Sequence, residues 1–390
     1  MRPFGFVCCA LMLGFGAGCS GLAYTPVPDI LVNRVEVSGY EGTAIRVDPD
    51  TSPQILTSHF ETAYRQLARH GHRGPFDILS VSGGGEYGAF GAGFLVGWSE
   101  RGTRPDFEAV TGISTGALIA PFAFLGPKYD PQLQEVYTTI SKKDVFSTSP
   151  VAGLLFGNAL ASSAPLERTI RRYATEPFIA EIAEEHRKGR RLLIGTTNLD
   201  DGKPVVWDIG AIAASDSATK QDLIVSILLA SASIPVALPP VEISVETGGE
   251  VFTELHADGG TSTQVFAYPP SIRLPSVARR AGITGHHRVY MITNAKLAPD
   301  RKPAKNSVLG IAEASVTSVL NGQRLGDAYR IYAATHRDGA QFRQVAIGQD
   351  FTQEPSEPFD TRFMQTLFEY GRETARDPDP WRSRPLGLAR

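Results

Sequence analysis

Val110-Thr111-Gly112-Ile113-Ser114-Thr115-Gly116-Ala117-Leu118 reads as the end of a strand, a five-residue Gly-x-Ser-x-Gly turn and the start of a helix. A serine on such a turn is held in a strained conformation that lifts its hydroxyl clear of the sheet. Gly112 and Gly116 are needed because side chains there would collide with neighbouring elements. Three fixed positions are weak evidence in a chain with 39 glycines, and a glycine-rich turn with an N-capping serine would look the same. The flanks decide: Glu108-Ala109-Val110 suits a buried strand, and Ala117 to Leu125 is apolar and helix-competent, which is the strand-turn-helix setting that a nucleophile elbow demands.

One strand earlier, Phe76 to Val81 leads into Ser82-Gly83-Gly84-Gly85-Glu86-Tyr87-Gly88-Ala89 and a helical stretch, Phe90 to Glu100. Gly83, Gly85 and Gly88 satisfy the dinucleotide fingerprint Gly-x-Gly-x-x-Gly, with Asp106 or Glu108 about where a ribose-binding acid is expected. The same residues suit an oxyanion hole, because glycine N–H groups at a helix N-terminus aim donors at an anion, whether pyrophosphate or tetrahedral oxyanion. The serine elbow separates the two readings: a dinucleotide site has no use for an exposed nucleophile, whereas acyl transfer needs both parts.

The chain has 390 residues, 42% hydrophobic and 20% charged, with net charge -3. That is the composition of an ordinary globular protein able to bury a large core, without the basic footprint of a nucleic-acid binder. All three cysteines, Cys8, Cys9 and Cys19, lie in or just after an apolar run from Phe4 to Phe15 that follows Arg2 and is too short to span a bilayer. Gly16-Ala17-Gly18-Cys19 resembles a bacterial lipobox, with Gly16 where Leu is usual. Residues 1–18 are therefore expected to be a signal peptide and Cys19 the lipid-bearing first residue, anchoring the protein to a membrane. Ser20, rather than Asp, implies the outer membrane by resemblance to bacterial lipoproteins.

Residues 19–50 are expected to be a tether and an edge segment, 51–375 the folded domain, and 376–390, rich in Pro and Arg, a loose tail. Gln54 to His70 has the apolar spacing of an amphipathic helix. Leu192 to Thr197 and Val205 to Asp208 read as strands joined by Asp200-Asp201-Gly202. Val251 to Ala257 is a strand ending at Asp258-Gly259-Gly260, and Ser307 to His336 is one long helix or two. Strands alternating with helices predict an α/β fold, a central mostly parallel sheet with helices on both faces.

Gly83-Gly84-Gly85-x-x-Gly88, Gly112-x-Ser114-x-Gly116 and Asp258-Gly259-Gly260, in that order, resemble the patatin-like phospholipase family from about Phe76 to Pro269. Ser231-Ala232-Ser233-Ile234-Pro235 looks like the family's segment before the last motif. The resemblance implies a metal-free and cofactor-free hydrolase of lipid or phospholipid acyl esters, with Ser114 as nucleophile and Asp258 as base. It implies a glycine-loop oxyanion hole over Gly83, Gly84, Gly85 and Gly88, with Gly84 and Gly85 the donors, and Gly112, Gly116, Gly259 and Gly260 as support. Two positions depart from the pattern: Tyr87 stands where many members carry Arg or Lys, and Gln264 where Asn is frequent. Two alternatives stand beside this reading. One is a Ser-His-Asp esterase drawing on His256, His286 or His287, of which the order Ser114, Asp258, His287 suits a triad. The other is a non-catalytic lipoprotein that binds an anionic ligand through the glycine loop.

Overall fold

The computed structural model describes residues 24–47, 53–148, 161–298, 300, 301, 303, 304 and 306–388. Cys19 and the expected signal peptide lie outside them. The ten-stranded sheet comprises β1 (Glu36–Val37), β2 (Arg46–Val47), β3 (Phe76–Val81), β4 (Ala109–Ile113), β5 (Arg191–Asn198), β6 (Lys203–Asp208), β7 (Val241–Thr247), β8 (Glu250–Asp258), β9 (His287–Lys296) and β10 (Gln341–Ile347). Its centre is parallel, in the order β5-β4-β3-β9-β10. An antiparallel flank, β1-β7-β8, joins β5 through β8, and β6 and β2 line the other edge of β5. The α/β class is as the sequence predicts; the sheet is mixed, with its parallel character confined to the five central strands.

Strand alternation divides the core in two. Phe76 and Ile78 of β3, with Val289 and Met291 of β9, pack on one face with Leu56, Tyr64 and Leu67 of α1 (Pro53–Arg69). Leu79, Val81, Tyr290 and Ile292 face the opposite core, formed by α2 (Gly88–Glu100), α3 (Thr115–Leu125) and other helices. Side chains alternate across a strand, so every central strand must be apolar on both sides, and β3 is buried along its whole length. Further helices include α4 (Asp130–Thr139), α5 (Lys220–Ser231), α6 (Val308–Arg337) and α7 (Thr361–Thr374). The span read as one long helix or two is a single helix, α6, uninterrupted at Asn321-Gly322.

The sequence expectation of a loose tail does not hold for residues 376–388. Trp381 stacks among Phe94, Trp98 and Tyr290, with ring centroids 4.8 to 5.1 Å away, and the Arg382 and Gln344 backbones exchange hydrogen bonds of 2.8 and 2.9 Å. One half-buried indole packed against three aromatic rings outweighs the mobility that Pro and Arg confer around it.

Candidate active site

Ser114 follows β4 directly and has φ 55° and ψ -127°, a positive-φ conformation that only two other non-glycine residues adopt among those described. Such strain persists only where surroundings enforce it. Here they do so through two close approaches: a Cβ on Gly112 would meet Gly116 O at 2.3 Å, and one on Gly116 would meet Val81 O at 2.2 Å. The elbow thus fits against the end of β3 only with glycine at both positions. The Ser231 hydroxyl, at the end of α5, donates to Gly195 O at 2.6 Å and accepts the Ser114 N–H at 3.0 Å, pinning the elbow to β5.

Asp258 arrives from the opposite direction. β4 pairs with β5 only as far as Ile113↔Gly195, and antiparallel β8 takes over that edge from Asp258↔Thr196 onward. The two strands therefore meet nearly end to end along β5. This register places the carboxylate beside the serine: Ser114 Oγ donates to Asp258 Oδ2 at 2.6 Å. Asp258 Oδ1 accepts the Gly260 N–H at 2.7 Å, while the Asp258 N–H donates to Ser233 O at 2.9 Å. Gly259 lies so close to β5 that a Cβ there would meet Gly195 O at 2.5 Å.

Both side chains are buried, and burial pushes the Asp258 carboxyl up to about 6; the Ser114 and Gly260 hydrogen bonds oppose that rise without cancelling it. A serine hydroxyl needs a base within hydrogen-bond reach, and a carboxylate with a raised pKa is a better one than an ordinary aspartate.

The glycine loop stands beside the elbow because β3 and β4 are neighbours. The N–H of Gly83 donates to Gln264 O at 3.2 Å, and that of Gly88 turns back to the carbonyls of Gly85 and Glu86. These two members of the expected hole are therefore occupied within the fold. Gly88 has a packing role, since a Cβ would lie 2.2 Å from Thr115 Oγ1. Among the described residues no acceptor takes the N–H of Gly84 or Gly85. Gly84 has φ 156° and Gly85 φ 57°, conformations that glycine adopts without strain and that turn successive N–H groups out of the helix start.

Residues distant in sequence hold this loop. Asn294, near the end of β9, donates from its amide to Ser82 O at 2.8 Å and from its backbone to Ser82 Oγ at 2.9 Å, and it accepts the Gly91 N–H at 3.0 Å. Glu86 accepts the Phe359 N–H at 2.8 Å. Gln264, standing where Asn was expected, donates to Gly260 O at 2.6 Å while its carbonyl receives Gly83, so one residue ties the Asp loop to the glycine loop. Its own N–H donates to Asp327 of α6 at 2.7 Å. Tyr87 supplies no cation; its ring packs edge-on against Phe363 at 5.3 Å.

The histidines do not join this group. His287 pairs in register with Phe76, the first residue of β3, whereas Ser114 lies beyond the last residues of the central strands. About 20 Å of strand separates those ends. His287 is held there by Tyr64 at 2.8 Å, burial lowers it to about 4, and His286 occupies the same end. His256, two residues before Asp258, is fully buried with both ring nitrogens engaged: Nδ1 by Thr196 Oγ1 at 3.0 Å and Nε2 by Glu254 at 3.1 Å. A Ser-His-Asp triad is not assembled.

Residues 79–269 match the family model of the patatin-like phospholipases. The match covers the glycine loop, the elbow and the Asp-Gly-Gly turn, just under half of the chain, and the mixed sheet with its helices is the patatin fold. Among solved structures, the chain is similar to VipD from Legionella pneumophila, with 10% identity and TM-score 0.37 over 79% of this chain and 67% of that one. It is also similar to human GIVD cytosolic phospholipase A2, with 9% identity and TM-score 0.30 over 83% of this chain and 55% of that one. No curated protein matches by sequence.

Proposed function

We propose that this protein is a serine acyl hydrolase of lipid carboxylic esters that works with a Ser114–Asp258 dyad and no histidine. The observation that carries the reading is the 2.6 Å hydrogen bond from the strained Ser114 hydroxyl to a buried carboxylate. In the forward step Ser114 Oγ attacks the ester carbonyl as its proton passes to Asp258 Oδ2. The tetrahedral oxyanion that forms receives the free N–H groups of Gly84 and Gly85, at the positive end of α2. Collapse expels the alcohol, which takes the proton from Asp258, and leaves an acyl-serine. Water then attacks the acyl carbon while Asp258 takes its proton, and the second collapse releases fatty acid and returns the proton to Ser114.

The test is a lipid panel offered to the purified protein, with released fatty acid measured and an active-site-directed fluorophosphonate used as label. Labelling at Ser114, lost in Ser114→Ala, and fatty-acid release are expected. A protein that takes no label and releases nothing would be the anion-binding lipoprotein instead.

We also propose that the protein is a lipoprotein of the bacterial envelope, acylated on Cys19 and held at the outer membrane, which would bring the site to its lipid substrate. The support is the run Gly16-Ala17-Gly18-Cys19 ahead of a sequence with no further cysteine. Cys19→Ser should move the protein from the membrane to the soluble fraction; a protein that washes off membranes unchanged would end this assignment.

A further inference from the structure

α6 is longer than the strands it crosses. Its 30 residues span about 45 Å, against about 33 Å for the ten residues of β9. It connects β9 to the parallel strand β10, so it runs from the carboxyl edge of the sheet, where Ser114 and the glycine loop lie, back to the amino edge. Asp327 marks the level of that carboxyl edge, because its Oδ2 accepts the N–H groups of Gln264 at 2.7 Å and Val265 at 3.3 Å. Asp327, Ala328, Ile331, Ala334 and Thr335 are buried and follow the i, i+3, i+4, i+7 stripe that a helix turns towards its body. Arg324 continues this stripe by one turn, to just beyond the carboxyl edge. Its neighbour Leu325 points outward and is 38% exposed.

A guanidinium in that place ordinarily has a carboxylate beside it, and Arg324 has none among the described residues. Burial lowers Arg104, Arg191 and Arg324 alike. Arg104 meets Asp130 at 2.8 Å and Arg191 meets Asp208 at 3.6 Å. Arg324 reaches only the neutral Asn321 Oδ1, at 2.8 Å, and its Nε is buried without an acceptor. Asp327, one turn away, is already engaged by Arg330. Lys296, at the end of β9, is paired with Asp300 at 2.5 Å. A desolvated cation without a partner costs stability, and positions that violate a stability rule concentrate where a ligand satisfies it.

We propose that Arg324 is the contact for the phosphodiester of a phospholipid substrate, so that the site favours phospholipids over neutral esters. The proposal rests on the acyl-hydrolase reading and names its substrate class. A planar guanidinium offers a phosphate two parallel N–H donors, which an ammonium or amide does not.

The experiment compares wild type, Arg324→Gln and Arg324→Lys on dihexanoylphosphatidylcholine and on the uncharged ester p-nitrophenyl butyrate. Loss of a charge-assisted contact should lower kcat/KM for the phospholipid by roughly 10- to 100-fold in Arg324→Gln, with partial recovery in Arg324→Lys and less than about threefold change on the butyrate. Equal losses on both esters, or none on either, would overturn the proposal.

Binding of dodecylphosphocholine and of inorganic phosphate to Ser114→Ala, with and without Arg324→Gln, separates this result from a failure of the hydrolase reading. Arginine-dependent binding without hydrolysis in the wild type keeps the anion site and removes the hydrolase. Hydrolysis of both esters with no dependence on Arg324 does the reverse. Dodecylphosphocholine binding that phosphate does not displace identifies the head group as the ligand, whereas tight arginine-dependent binding of phosphate alone overturns the lipid assignment. Melting curves guard against misfolding, and Arg324→Met should melt no lower than wild type, since it removes an unpaired buried charge.

Discussion

Glu254 and Asp258 are buried carboxylates four residues apart on β8, and their surroundings drive them in opposite directions. For Glu254, burial favours the neutral acid, but hydrogen bonds from His256 and the Arg46 guanidinium, the latter at 2.6 Å, outweigh it and bring the group down to about 2. Asp258 has no cation beside it among the described residues, only the Ser114 hydroxyl and one backbone N–H, so burial prevails and raises it to about 6. One strand thus carries a structural acid that stays charged near neutral pH and a carboxyl able to take a proton there. Finding an acid and a histidine together does not mark the proposed catalytic corner here. Of the two, the carboxyl without a histidine is the one that meets a strained nucleophile.

The largest effects should come from breaking the second corner. Asp258→Asn retains the shape but cannot accept the serine proton, and turnover should fall by about four orders of magnitude or more, as with Ser114→Ala. The double variant should be little worse than either single one, because the two groups act as a unit. His256→Ala, on the structural side, should lose stability yet keep substantial turnover per folded molecule. A dead, folded His256→Ala would mean that the corners had been assigned the wrong way round.

An intermediate effect is expected at the loop proposed to receive the oxyanion. A Cβ on Gly85 meets nothing within 4 Å, so Gly85→Val fails only through its φ of 57°, which a β-branched residue resists. The loop should swing its N–H away, lowering turnover about 10²- to 10³-fold while circular dichroism stays unchanged. Tight binding of NAD to the wild type, abolished by this substitution, would instead support the dinucleotide reading of the same glycines.

The elbow and the glycine loop were legible in sequence because each needs glycine at fixed local spacing for a backbone reason: positive φ at Gly84 and Gly85, and close approach at Gly112 and Gly116. The position of Asp258 was legible only through the family pattern, since the geometry depends on β8 replacing β4 along one edge of β5, a non-local register. The supports were harder still. Asn294 acts on Ser82 across more than 200 positions, and no short motif announces such a partner. The triad alternative survived in sequence because chain order does not say at which end of a strand a residue lies; pairing with Phe76 places His287 at the wrong end.

The smallest effect, and the one that separates the two carboxyls most cleanly, is on stability and pH. Glu254, lowered from 4.5 to about 2, contributes stability that is fully present above pH 4.5 and is lost as pH falls towards 2. Asp258, raised from 3.8 to about 6, has the opposite sign. The fold holds its proton more tightly than the unfolded chain, so stability declines as pH rises from about 4 through 6 and stays lower above that. Each shift corresponds to about 3 kcal/mol. At pH 7.5, Glu254→Gln should therefore lower Tm and Asp258→Asn should raise it by a few degrees; at about pH 3, below both the unfolded value of 3.8 and the folded value of about 6, Asp258 is largely protonated in both states and the gain in Asp258→Asn should all but vanish. The ionised carboxylate that costs stability is the form proposed to accept the serine proton, so kcat/KM of the wild type should climb about tenfold per pH unit below 6 and level off above it. A rate limb that persists unchanged in Glu254→Gln, together with a melting gain in Asp258→Asn that appears over the same pH range, would tie both measurements to one proton on Asp258. A rate limb centred near 4 would mean that Asp258 is solvated in solution and that the contrast along β8 is not what selects the base.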